Sequence, residues 1–353
     1  MDSVFVTSGG DRLRLSEEYF APIGKAVRAD DPAHLFEVQY KTSAKPIPFG
    51  QFQFKFHESC WVFDAIRACG IPLQFRAMFD LGSGFAVMPH IVHRLGYARD
   101  VTCCDLFPYG QTAFDDGRAW RFLALQWLLN KLGLRRIGRV ARKWDNRVSP
   151  ENLTLPVLAP GRFDYVVSDV YEQHGQYDWV NSSLTLTHFD HQKLFPKIAA
   201  LLEDGGLFTF TVECFWYARN STGVFGKMPY LMQVLSKEDL LRYMREQHPD
   251  IDVDKVRAVY DYYADPTFPT ASTYIETAIK SGLHPVFVHR HMNPGGRNAR
   301  AGTTPAHIER EYGYSMSEIL QLVRKRRPDV MPEDLYTSHY LIGLRKVACD
   351  QSV

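Results

Sequence analysis

FDLGSGFAVMPH runs from Phe79 to His90. An apolar run carries Asp80 near its end, breaks at Gly82 and Gly84, and passes at once into helical spacing, with Met88, Ile91, Val92 and Leu95 on one face. Two glycines at such a joint let the backbone come close to a ligand, and the start of the next helix favours negative charge. Pro89 falls in the first turn, where its missing N–H costs little, and Gly96 supplies the stop. The stretch predicts a strand, a tight turn and a helix, with something polar held at the turn.

Working outward, HESCWVFDAIRACGIP (57–72) has helical spacing ended by Gly70 and Pro72, and KPIPFGQFQFKF (45–56) alternates like a strand or extended arm. Downstream, DVTCCDLFPYG (100–110) is a second strand closing on Asp105, followed by a helix over 112–132. RVARKWDN (139–146) reads as a weak third strand and RFDYVVSDVYEQHG (162–175) as a strong fourth with Asp169 at its end. A helix capped by Asp190 leads to GLFTFTVECFW (206–216), the fifth strand. SKEDLLRYMREQHPD (236–250) is a helix opened by Ser236, and another lies near SMSEILQLVRKRRPD (315–329). HPVFVHRHM (284–292) and HYLIGLRKV (339–347) supply the last strands. Alternating strands and helices predict an α/β class: a doubly wound, mostly parallel seven-stranded sheet with helices on both faces. Residues 75–216 form the expected core. An N-terminal arm and helix (1–74), an inserted cap or lid (217–283) and a segment with the last two strands and a helical insertion (284–353) surround it.

Bulk properties narrow the function. The chain has 353 residues, and 45% are hydrophobic, enough for a large core. Its 41 basic and 40 acidic side chains nearly cancel, which argues against a nucleic-acid partner. The basic runs KLGLRRIGRVARK (131–143) and RKRR (324–327) read as solvated faces. No leader-like or membrane-spanning apolar run is visible, and the six cysteines form no CxxC pair, so a reduced, cytoplasmic protein is expected.

Asp105 stands about 20 residues beyond Gly84, the spacing at which an acid takes ribose hydroxyls after a glycine turn. Asp80, Asp105 and Asp169 together put three carboxylates at one sheet edge, where burying them unpaired would be costly. A dinucleotide fits less well: Val87 crowds the third glycine position, and Asp80 would repel a pyrophosphate. A ligand with an amino group, a carboxylate and a sulfonium fits better.

In FDLGSGFA (79–86), CCDLF (103–107), FDYVVSDV (163–170) and LLEDGGLFTFTV (201–212) the chain resembles the class I S-adenosylmethionine-dependent methyltransferases. The family's first motif is usually (D/E)-x-G-x-G-x-G; here Ala86 replaces its last glycine. The resemblance implies S-adenosyl-L-methionine as cofactor. Gly82, Ser83 and Gly84 would pass its methionine part, with Asp80 drawing its amine. Asp105 would hold the ribose with Leu106 against the adenine, Asp145 would accept from the adenine amino group, and Asp169 would face the sulfonium. LLEDGG would be a structural turn.

Methyl transfer to oxygen or nitrogen usually needs a base. VYEQHGQYDW (170–179) supplies His174 first and Glu172 second. His188, Asp190 and His191 in THFDHQK (187–193) are spaced for a cap rather than a metal, so no metal is expected. Aromatic groups at 52–56, 215–217 and 260–263 suggest a lid over a small-molecule acceptor, a hydroxyl or amine of a natural-product intermediate or a sugar. A homodimer stays open. The rival readings are a nicotinamide-dependent oxidoreductase and a cofactor-binding regulator without catalysis.

Overall fold

The structure is a computed structural model, and it describes residues 3–15, 49–108, 116–132, 156–157, 161–213, 231–262, 269–292 and 313–347. The chain opens with an antiparallel hairpin, β1 (Ser3–Val6) and β2 (Arg12–Leu15). The long helix α1 (Phe49–Ala68) follows. Then come β3 (Phe75–Leu81), α2 (Val87–Arg94), β4 (Ala98–Asp105), α3 (Asp116–Lys131) and β5 (Phe163–Val167). A short 3₁₀ turn (Val170–Glu172) leads to β6 (Tyr177–Ser183), another (Leu186–His188) to α4 (His191–Leu201), and α4 to β7 (Leu202–Glu213). Helices α5 (Leu231–Val234), α6 (Lys237–Gln247), α7 (Val253–Tyr262) and α8 (Ala271–Lys280) precede β8 (Leu283–Met292). Helix α9 (Met316–Arg324) and β9 (Thr337–Lys346) complete the described chain.

The main sheet has seven strands in the order β5-β4-β3-β6-β7-β9-β8. Only β9 runs against its neighbours. This is the expected doubly wound, Rossmann-like sheet. From β3 the chain winds one way through β4 and β5, then crosses back to β6 and β7 on the other side. The carboxyl ends of β3 and β6 therefore form the switch point, where open α/β sheets hold their ligands.

Two buried clusters flank the sheet. One packs α4, α6, α8 and α9 over Phe79, Leu81, Val180, Phe208 and Phe210; the other packs α1 and α2 over Met78, Val101, Trp179 and Leu207. Alternation along each strand divides the two sets.

Three assignments change. Residues 49–56 are helical, not extended, because Phe49, Phe52, Phe56 and Phe63 also recur at helical spacing. Phe163–Val167 is the third strand of its half, paired only to β4 among the described residues. The fourth is Tyr177–Ser183, next to β3. Its Asn181 and Ser182 look loop-like in sequence, yet both are buried with hydrogen-bond partners. The weak strand at 139–146, with Asp145, lies outside the described residues. The cap assignments hold: Asp190 accepts from the Gln192 amide, and Ser236 from the Asp239 amide. Arg324 and Arg327 of the RKRR run bond to the Val330 carbonyl and Asp329, and Lys325 pairs with Asp11.

Candidate functional site

The turn after β3 is built by backbone geometry. Gly82 and Gly84 lie at φ 64° and 49°, and Ala86 follows at 52°. A side chain at Gly82 would meet Thr185, which projects from the turn after β6; its hydroxyl would lie 2.6 Å from the added carbon. The glycine thus lets the loops after β3 and β6 touch across the switch point. Ser83 locks the turn: its hydroxyl donates to the Asp80 carbonyl at 2.7 Å and accepts from the Cys104 amide at 3.2 Å.

Asp80 is 2% exposed at the mouth of β3. A buried relay orients it. Trp179 Nε1 donates to Thr209 Oγ1 at 2.8 Å, Thr209 donates to Asn181 Oδ1 at 2.9 Å, and Asn181 Nδ2 donates to Asp80 Oδ1 at 2.7 Å. Burial pushes the Asp80 carboxyl up to about 7, against hydrogen bonds from Asn181 and Ser83 and the charge of Lys55; Asp105 pushes the same way as burial. A carboxyl held so high is matched to a cationic partner, which would return it to the charged form.

Asp105 ends β4, where Oδ2 accepts from the Gly84 amide at 2.8 Å and Oδ1 from the Phe107 amide at 3.1 Å. Burial raises its carboxyl, and the amides of Gly84, Phe107 and Leu106 oppose this. Two bonds leave a carboxylate with room for two hydroxyl donors. Leu106 beside it is an apolar side chain 60% exposed. The Tyr165 hydroxyl lies 2.9 Å from the carbonyls of both Gly84 and Phe107, tying the two loops together.

The other expected residues are placed differently. Asp169 follows β5, two strands from β3, and caps the 3₁₀ turn by accepting from the Tyr171 amide at 3.0 Å. It still lies at the rim beside Asp105, because the Ser168 amide just before it donates to the Asp105 carbonyl at 3.0 Å. Glu172 is exposed and accepts from the Ser168 hydroxyl. His174 is exposed on the passage that crosses to the amino end of β6, against Lys197, Ala200 and Leu201. That is the opposite edge of the sheet from Asp80. His174 would stand beside the site only if Phe163–Val167 were the fourth strand, and that strand is the third of its half. A second cleft, lined by Arg76, Asp100, Arg162 and Tyr177, also opens toward the amino ends of these strands.

A second polar group has no signal in the local sequence. Lys55 Nζ of α1 lies 2.8 Å from Glu58 Oε2 and 3.0 Å from Ser183 Oγ at the end of β6. Ser183 and Thr211 donate to Glu58 Oε1 at 2.7 and 2.5 Å. Burial alone would raise the Glu58 carboxyl, but Lys55 and the two hydroxyls outweigh it and hold it below its ordinary value. Glu213 and His339 stand one step further out on paired strands. No group of three or more His, Cys, Asp or Glu among the described residues is arranged to hold a metal ion.

No family model matches the chain, and no curated protein matches it either. Many solved structures do. An S-adenosylmethionine-dependent methyltransferase from Mesorhizobium loti is 18% identical, with 80% of this chain and 96% of that one covered and a TM-score of 0.37. The N-methyltransferase NodS from Bradyrhizobium japonicum is 9% identical over 94% and 99%, with a TM-score of 0.37. A geranyl diphosphate C-methyltransferase from Streptomyces coelicolor is 12% identical over 84% and 80%, with a TM-score of 0.39. At these identities and scores the functional reading has to rest on the residues of the site.

Proposed function

We propose that the chain is an S-adenosylmethionine-dependent methyltransferase acting on a small-molecule acceptor. One observation carries the reading: a buried, relay-held Asp80 and a ribose-competent Asp105 flank a glycine turn at the switch point of the sheet. Asp80 would attract the amine of the methionine part and Gly82–Gly84 would pass beside it. Asp105 would take the ribose hydroxyls, with Leu106 against the adenine. Because the third strand is Phe163–Val167, the adenine amino group would meet Ser168 or Asp169 rather than Asp145. The position facing the sulfonium passes from Asp169 to the end of β6. When bound, the cofactor supplies an activated methyl group; the chain supplies binding, orientation and proton acceptance.

Asp80 also separates this reading from a nicotinamide one, since a buried acid at the glycine turn repels a pyrophosphate. Titration calorimetry with S-adenosylhomocysteine tests the proposal. Micromolar binding is expected, weakened at least ~10-fold in Asp105→Ala as two hydrogen bonds are lost. No uptake of the nucleoside, or uptake of reduced nicotinamide dinucleotide instead, overturns it.

A further inference from the structure

The polar groups on the α1 side of the sheet form layers along the strands. Asp80, Asn181 and Thr209 are paired across β3, β6 and β7; Ser183 and Thr211 are paired one layer further out; Glu213, His339 and His291 are paired beyond them across β7, β9 and β8. Residues paired directly across strands share a face, and each layer is two residues, or about 7 Å, beyond the last. Helix α1 lies over this face at the rim, with Lys55 and Glu58 on the middle layer and Trp61 edge-on to the His291 ring at 6.0 Å. The layers therefore lead from the cofactor turn outward, beneath α1, to Glu213.

Glu213 differs from its neighbours. Glu58 is saturated by Lys55, Ser183 and Thr211. Glu213 is partly exposed, and its carboxylate has no hydrogen bond or ion pair among the described residues. Lys55, a cation close enough to influence it, is already engaged with Glu58. Burial pushes the Glu213 carboxyl up to about 7; Lys55 opposes this and Glu58 reinforces it. His339 on the facing strand is held down by burial to about 4 and adds no positive charge at neutral pH. Among the described residues, Glu58 takes up Lys55, which leaves the Glu213 carboxylate without an ion-pair partner.

We propose that Glu213 binds the methyl acceptor and that the acceptor is a primary or secondary amine, held as its ammonium and deprotonated by Glu213. This rests on the methyltransferase reading above. The ammonium proton passes to the Glu213 carboxylate, and the freed nitrogen lone pair forms the N–C bond to the methyl as the C–S electron pair returns to sulfur. The positive charge moves from sulfur to the methylated nitrogen, and Glu213 later returns its proton to water. An alcohol would gain little here, since a carboxylate is too weak a base for it, and a neutral acceptor would leave the Glu213 charge uncompensated.

Two aza-analogues of the cofactor test this without knowledge of the natural acceptor. In both, nitrogen replaces sulfur; one carries a 3-aminopropyl arm in place of the methyl and the other a 3-hydroxypropyl arm. Calorimetry on the full chain at pH 8 is expected to show the amino arm binding at least tenfold tighter. The preference should shrink below pH 6 as Glu213 protonates beside Lys55, Glu58, His291 and His339. Glu213→Gln should abolish the preference while leaving S-adenosylhomocysteine affinity unchanged. Equal or tighter binding of the hydroxyl arm to the unaltered protein overturns the inference, whatever the variant does. Binding of S-adenosylhomocysteine with rejection of both arms overturns the amine-acceptor assignment alone. Failure to bind any of the three overturns the methyltransferase reading with it.

Discussion

At the scale of single residues, Gly82 and Gly84 share a positive φ but not a neighbourhood. Thr185 would crowd a side chain at Gly82, whereas no described residue lies within 4 Å of one at Gly84. A left-handed conformation costs an alanine about 1–2 kcal/mol. Gly84→Ala should therefore lose only about that much stability. Gly82→Ala must also push Thr185 aside and should lose about 2–4 kcal/mol, with weaker nucleoside binding. Urea midpoints for the two variants decide it; equal losses would remove the close approach of the two loops as a structural requirement. Both glycines and Asp105 were legible in sequence, because a strand–turn–helix joint is local and its chemistry is fixed by a few adjacent residues. Glu58, Ser183, Thr211 and Glu213 were not. They meet only once α1 crosses the sheet, and nothing near any one of them in sequence signals the others.

At the scale of elements, the N-terminal hairpin is fastened to α6. Asp239 accepts from the Ser8 amide at 2.9 Å and the Ser8 hydroxyl at 2.8 Å, while Arg242 pairs with Asp239 at 2.9 Å and lies over the Phe5 ring at 4.6 Å. Phe5 packs edge-on to Tyr243 at 5.2 Å. The cap at Ser236 is thus one-sided: its hydroxyl accepts from the Asp239 amide, while the Asp239 carboxylate turns to the hairpin rather than back to the cap. Burial would raise the Asp239 carboxyl, but hydrogen bonds from Arg242 and Ser8 hold it below its ordinary value. Its stabilisation is therefore present above the ordinary carboxylate range and is lost as pH falls through the lowered value. Asp239→Ala should cost about 2 kcal/mol at pH 7 and release the hairpin to hydrogen exchange, with the difference fading towards pH 3. Strand order was the least legible feature at this scale. Reading the weak run at 139–146 as the third strand displaces Phe163–Val167 to fourth, and the true fourth strand, Tyr177–Ser183, hides its strand character behind polar residues that the fold satisfies internally.

At the scale of the whole molecule, two acids work against the ligand-free fold. The Asp80 and Glu213 carboxyls both sit at about 7 when folded, above their ordinary values of 3.8 and 4.5. Each binds its proton more tightly in the folded chain, so stability is greatest below the ordinary values and falls as pH rises towards 7. Asp80→Asn should raise stability at pH 8 by on the order of 3 kcal/mol and change it little at pH 4. Denaturant titrations at the two pH values check this, and a larger gain at pH 4 would refute it. The acids that favour a cationic ligand are thus the same ones that strain the empty protein.

The placement of β9 has a further consequence, for synthesis. It is the last described strand to leave the ribosome, yet it must slot between two that emerged earlier. Until Thr337–Lys346 arrives, β7 and β8 each offer a bare hydrogen-bonding edge, a template for pairing with other nascent chains. A gene cut just before Thr337 should yield aggregates rather than a shortened soluble protein. The intact chain should depend on chaperones for as long as that gap stays open.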